Sequence, residues 1–196
     1  MNFLYNFINK PLPATDAGWT LFLDRDGVIN EEMIGDYIKR PEDFHFIAGS
    51  LEALSMLHGF FKRIIVVSNQ KGVGKGVMTA ADLDAINQKM MEKIAAAGGR
   101  VDAAYYATAT DPLDKNRKPR PGMALQAQQD FPDIDFQKSI MVGNMAADMQ
   151  FGRAIGACTV YIPTRPDGMP RPEEVDCVFK DLLSFARAVQ QQRQAT

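Results

Sequence analysis

Leu21-Phe22-Leu23-Asp24-Arg25-Asp26-Gly27-Val28-Ile29-Asn30 is the stretch that decides how this chain reads. An apolar run begun at Trp19 stops abruptly at two aspartates one residue apart, and glycine follows at once. On a strand that simply continued, residues i and i+2 would share a side, so Asp24 and Asp26 would crowd two anions together. Such crowding is costly unless a cation or a proton is shared between them. Gly27 lets the chain swerve immediately, which puts the pair at the carboxyl end of a buried strand, where open α/β sheets hold their ligands. A carboxylate nucleophile, a second carboxylate for proton transfer and a divalent metal account for the cluster economically. Taken alone, D-x-D is more simply a polar loop after a strand.

Outward from this stretch, apolar runs and helical patterns alternate as in a βαβ architecture. Trp19 to Leu23 reads as the first strand. Ser50 is placed to cap a helix carrying Leu51, Leu54 and Leu57. Arg63 to Val67 is β-branched and without alternation, as buried parallel strands are. Thr79 and Asp82 form a capping-box pattern before a helix with Leu83, Ile86, Met90 and Ile94 on one face, stopped at Gly98-Gly99. A third strand is expected over Val101 to Ala107, and Pro121 is expected at the first position of the next helix. Ser139 to Val142 reads as a fourth strand, Ala146 to Ile155 as a helix ended by Gly156, and Cys158 to Ile162 as a fifth strand. A short strand near Val178 and a final helix, frayed over Gln190 to Thr196, complete the pattern. The fold expected is α/β: one doubly wound parallel sheet over residues 19–196, preceded by an N-terminal extension over 1–18.

Composition narrows the function. The 196 residues hold 46% hydrophobic and 23% charged residues, ordinary for one packed domain. A net charge of −2 gives no electrostatic case for nucleic acid or an anionic membrane as partner. No apolar run approaches a membrane span, and Met1 to Lys10 lacks the basic start and long apolar core of a secretory signal. The two cysteines, Cys158 and Cys177, lie in apolar stretches and read as buried thiols in a reducing compartment. The expectation is a cytoplasmic monomer or weak homodimer.

Three further polar clusters follow strands. Ser68-Asn69-Gln70-Lys71-Gly72-Val73-Gly74-Lys75-Gly76 offers a hydroxyl, amides and glycine-freed backbone N–H groups, a composition suited to an anion; otherwise it is a glycine-rich turn. Arg117-Lys118-Pro119-Arg120-Pro121-Gly122 places cations just before a helix start, where charge and helix dipole both favour an anion. Gly143-Asn144-Met145-Ala146-Ala147-Asp148 carries an amide and a carboxylate four residues apart, with Asn144 as a helix cap the plainer alternative.

In this order, D-x-D-G, then Ser68, then Lys118, then G-N-x-x-x-D, the clusters resemble the four motifs of the haloacid dehalogenase-like phosphohydrolases. Within that superfamily, Phe22 to Asn30, Ser68-Asn69-Gln70, Arg117-Lys118-Pro119, Pro121-Gly122-Met123, Met141-Val142-Gly143 and Asp148-Met149-Gln150 are most similar to the heptose bisphosphate and histidinol phosphatases. The resemblance spans roughly residues 20–163. It implies that Asp24 attacks phosphorus and forms an aspartyl-phosphate, while Asp26 protonates the leaving alcohol and then activates water. It implies that Ser68, Asn69, Gln70 and Lys118 bind the phosphoryl group and that Arg117 contacts the substrate, a small phosphorylated molecule. Mg²⁺ would be held by Asp24, Asp26, Asn144 and Asp148. Heptose 1,7-bisphosphate is the first expectation of substrate; histidinol phosphate and other small phosphate esters are the alternatives.

The chain departs from the family pattern twice. Asn144 stands where the first metal ligand of the fourth motif is usually aspartate, which removes a negative charge and lowers the expected metal affinity, with Asp148 compensating. A catalytically weakened binding protein is therefore the rival reading. Second, close relatives carry a zinc loop of cysteines and histidine before the third motif; Ala107 to Asn116 has neither residue, so structural zinc is not expected. The segment between Asn30 and Ser50 has room for a flap but not for a large cap domain. A nucleotide-binding P-loop is rejected, because Gly76 follows Lys75 where Ser or Thr is required.

Overall fold

The computed structural model describes residues 10–194. Six parallel strands form one sheet: β1 (Thr20–Leu23), β2 (Arg63–Asn69), β3 (Ala103–Ala107), β4 (Ser139–Gly143), β5 (Cys158–Tyr161) and β6 (Cys177–Val178). Their order is β3-β2-β1-β4-β5-β6. The chain thus winds outward from β1 to one edge and returns to the other side of β1, leaving a switch point between β1 and β4.

Alternation along the strands divides the core between two faces. Leu21 and Leu23 join Ile64, Val66, Ile140 and Val142 under α1 (Ser50–Leu57), α3 (Ala80–Ala96) and α6 (Leu182–Gln194). Phe22 points the other way, with Ile65, Val67 and Met141, towards α4 (Gly122–Asp130) and α5 (Ala146–Ile155). With both faces covered, β1 has no exposed residue, which is why its sequence shows no polar alternation. The four-residue α2 (Lys71–Gly74) follows β2 directly, within the cluster that the sequence offered as an anion site or, more plainly, a glycine-rich turn.

Local chemistry differs from expectation at several ends. Thr79 and Asp82 form the expected capping box. Ser50 does not cap α1: Gly49 is the cap, with φ +83°, and Ser50 lies buried inside the first turn. Pro121 is the cap of α4 rather than its first residue. β3 begins at Ala103, two residues later than the pattern suggested. Half of the N-terminal extension, residues 1–9, lies outside the described residues; of the rest, Lys10 pairs with Asp176 and Leu12 packs on the core.

Candidate active site

Four strand ends supply the site. β1 stops at Leu23, and the Asp24 N–H donates to the Val142 carbonyl at 2.9 Å, tying the first aspartate to β4 across the switch point. The chain then turns through Gly27, at φ +82°, and a Cβ there would collide with the Asn144 side-chain amide. Gly143 is likewise required, because a Cβ would strike the Asp148 side chain. Gly27 therefore lets the first and fourth clusters approach one another, and Gly143 lets the fourth fold back onto its own Asp148, needs separate from the backbone freedom argued from sequence.

Lys118 is the centre of the arrangement. Its ammonium lies 2.9 Å from Asp24 Oδ1, 2.6 Å from Asp148 Oδ1 and 2.7 Å from the Val67 carbonyl, and the residue is 3% exposed. Asn69 fixes the backbone that delivers it: Asn69 Oδ1 accepts from the Lys118 N–H, and Asn69 Nδ2 donates to the Lys118 carbonyl. Burial pushes the Asp24 carboxyl up to about 7, Asp148 adds to that shift, and Lys118 opposes it. Burial alone would lower Lys118, yet Asp148 and Asp24 outweigh it and hold the ammonium above its usual range. One cation serves two buried carboxylates.

The two aspartates of the opening stretch consequently have different partners. Asp26 accepts from Asn30 Nδ2 at 2.8 Å, from Gln70 Nε2 at 2.6 Å and from the Arg25 guanidinium at 3.1 Å. Arg25 is 1% exposed and also faces the Phe44 ring. The anion that most perturbs Asp24 is Asp148, because β1 ends before Asp26 can fall into register. This corrects the strand-continuation argument.

A cavity of about 280 Å³ opens over these groups, lined by Asp24, Asp26, Ser68, Asn69, Arg117, Lys118, Asn144 and Asp148. Gln70 is the sequence-selected residue absent from that lining; its amide is withdrawn to Asp26 and to Ser68 Oγ at 3.0 Å. Glu32 and Lys71 also line the cavity; neither was singled out as a site residue, although Lys71 lies in the glycine-rich cluster and Glu32 in the flap segment. Glu32 pairs with Arg165, so the loop after β1 and the loop after β5 meet beside it.

The donor set suits a magnesium-like cation in one respect and limits it in another. Asn144 Nδ2 donates to Thr164 Oγ1 at 2.8 Å, while Asn144 Oδ1 is buried without a hydrogen-bond partner. A buried, unpaired amide oxygen suits a hard cation, which binds through oxygen. Asp148, by contrast, has both oxygens engaged: Oδ1 with Lys118 and Oδ2 with the N–H groups of Asn144 and Met145. Those bonds make Asp148, rather than Asn144, the side chain that caps α5. Among the described residues, no three His, Cys, Asp or Glu side chains gather to hold a metal by themselves. A cation here would have to draw on Asp24 together with backbone and amide oxygens such as Asn144 Oδ1.

Known proteins match most of this chain. The family described as polynucleotide kinase 3 phosphatase matches residues 21–186. The D-glycero-alpha-D-manno-heptose-1,7-bisphosphate 7-phosphatase of Mycobacterium bovis is 34% identical over 87% of this chain and 91% of its own. The corresponding beta-named enzyme of Pseudomonas aeruginosa is also 34% identical, over 87% of this chain and 97% of its own. The crystal structure of D,D-heptose 1,7-bisphosphate phosphatase from B. bronchiseptica, complexed with magnesium and phosphate, superposes with a TM-score of 0.76 at 27% identity. It covers 89% of this chain and 99% of that one. The chain belongs to this family of haloacid dehalogenase-like phosphatases.

Proposed function

We propose that this enzyme removes one phosphate from a heptose 1,7-bisphosphate, through an aspartyl-phosphate on Asp24. The observation that carries the mechanism is the buried Asp24 carboxylate, with Oδ1 fixed by Lys118 and by the Arg25 N–H at 2.8 Å, facing the cavity. With Oδ1 held, Oδ2 is the oxygen left to attack phosphorus. Ser68, the backbone of Asn69 and Lys118 receive the phosphoryl oxygens, where charge must be neutralised in the transition state. Asp26, aimed by Arg25, Asn30 and Gln70, passes a proton to the leaving alcohol and later takes one from the attacking water. Arg117 lines the cavity and meets the rest of the substrate.

The Asp24 carboxylate, the Asp26 carbonyl and the unpaired Asn144 Oδ1 would hold Mg²⁺, which would offset the charge shared by nucleophile and phosphate. Asp148 acts through Lys118, which its carboxylate holds in place.

The substrate assignment rests on the relatives. Those named for heptose bisphosphate cover most of both chains, and the alpha- and beta-named enzymes match equally well. A panel of phosphate esters with Mg²⁺, containing both heptose 1,7-bisphosphate anomers, histidinol phosphate and a 3′-phosphorylated oligonucleotide, tests it. Phosphate release is expected from the heptose esters foremost; preference for the oligonucleotide or histidinol phosphate would overturn the assignment. No release from any ester would favour the binding-protein reading.

A further inference from the structure

We infer that Gln70 is a positioning residue which, by one amide group, aims both the proton-transfer carboxylate and the hydroxyl that receives phosphate. The inference rests on the phosphatase reading of the site. Gln70 is 3% exposed, and its Nε2 donates to Asp26 Oδ2 at 2.6 Å and to Ser68 Oγ at 3.0 Å. The amide orientation follows from chemistry: turned over, Oε1 would face the Asp26 carboxylate, acceptor against acceptor. An NH₂ group carries two hydrogens, and here each has one acceptor.

The consequence for Ser68 is specific. A hydroxyl has one hydrogen, and Ser68 Oγ already accepts from Gln70. Its own hydrogen is therefore free to point into the cavity that Ser68 lines, where it serves a phosphoryl oxygen. Ser68 is 1% exposed, so little water competes for that role. On the Asp26 side, Gln70 acts with Asn30 and Arg25 to hold the carboxylate at one place on the cavity wall. The sequence suggested that Gln70 touches substrate; the structure makes it a brace for two residues that do.

A thermodynamic cycle separates this role from simple packing. Inhibition by inorganic phosphate reports Ser68, and kcat reports both arms. Gln70→Met should weaken phosphate inhibition about 5-fold and lower kcat about 10-fold, and Ser68→Ala should weaken inhibition about 10-fold. In the Ser68→Ala background, Gln70→Met should leave phosphate inhibition unchanged while kcat still falls, because the shared interaction is already gone. Gln70→Glu keeps the side chain's size and serves if the methionine variant does not fold. Its carboxylate faces Asp26, so kcat should fall further in both backgrounds. Equal weakening of inhibition in both backgrounds, or no change in either readout, would overturn the inference. Unaltered phosphate inhibition in Ser68→Ala alone would overturn the Ser68 assignment and this inference with it.

Discussion

Two charged clusters, one at the middle of the sheet and one at its edge, have opposite characters. At β1 and β4, Asp24 and Asp148 share the single ammonium of Lys118, and burial pushes Asp24 up to about 7. At the β5–β6 edge the proportions are reversed: Asp176 receives Arg153, Lys10 and the Thr159 N–H. Burial alone would raise Asp176, but Arg153, Lys10 and Thr159 outweigh it and bring the carboxyl down to about 2. The edge cluster is satisfied and ties the segment at Lys10 to the sheet. The central cluster is held under electrostatic tension by the surrounding fold, the condition expected of a functional site.

The contrast is broken most severely at Asp24. Asp24→Asn should reduce phosphate release by about 10⁴-fold or more, whereas Asp176→Asn should leave turnover unchanged, as a steady-state assay of both variants would show. Next in size is Lys118→Met, which leaves two buried carboxylates without their cation. A cost of about 3–5 kcal/mol in denaturant unfolding is expected, with turnover down about 10²–10³-fold as for other lost transition-state donors. Unchanged stability would mean that the ammonium does not hold the two acids together.

Asn144→Asp sharpens the comparison from the other direction. Restoring a carboxylate should tighten Mg²⁺ binding about 10-fold, measured by calorimetry. Without metal it adds a third anion near Lys118 and should lower the melting temperature. Tightening without the metal-free penalty would show that the amide is not part of the charged cluster.

The smallest effects are those of pH on the metal-free protein, and their signs differ. Asp24 has a folded pKa above its ordinary 3.8, so the folded state binds the extra proton and stability falls as pH rises from about 4 to about 7. Asp176 has a folded pKa below 3.8, so its contribution is present above that value and is lost as pH falls towards about 2. Asp24→Asn should therefore raise the midpoint at pH 7 by about 3 °C, and by less at pH 4. Asp176→Asn should cost about 1–2 kcal/mol at pH 7 and much less near pH 2. Parallel melting profiles for the two variants would contradict the comparison.

The strands and the gathering of polar groups at their ends were readable because burial leaves continuous apolar runs and because short motifs keep their residues local. What escaped reading depends on contacts between distant segments. Nothing near Asp148 in sequence shows that Lys118 will take one of its oxygens, and nothing near Gln70 shows that it turns towards Asp26 rather than the cavity. Glu32 meets Arg165 only because the loops after β1 and β5 converge over the switch point. Ser50 failed as a cap for a local reason: Gly49 reaches a left-handed conformation that lets the helix begin without a side-chain acceptor.

The central claim is that Asp24 carries the phosphoryl group during turnover. The enzyme mixed with Mg²⁺ and heptose 1,7-bisphosphate, quenched in acid within a turnover and mapped by peptide mass, tests it directly. One phosphoryl group is expected on the peptide containing Asp24, absent from Asp24→Asn. Turnover with no phosphoryl group on that peptide, or with Asp24→Asn as active as the wild type, would contradict the account.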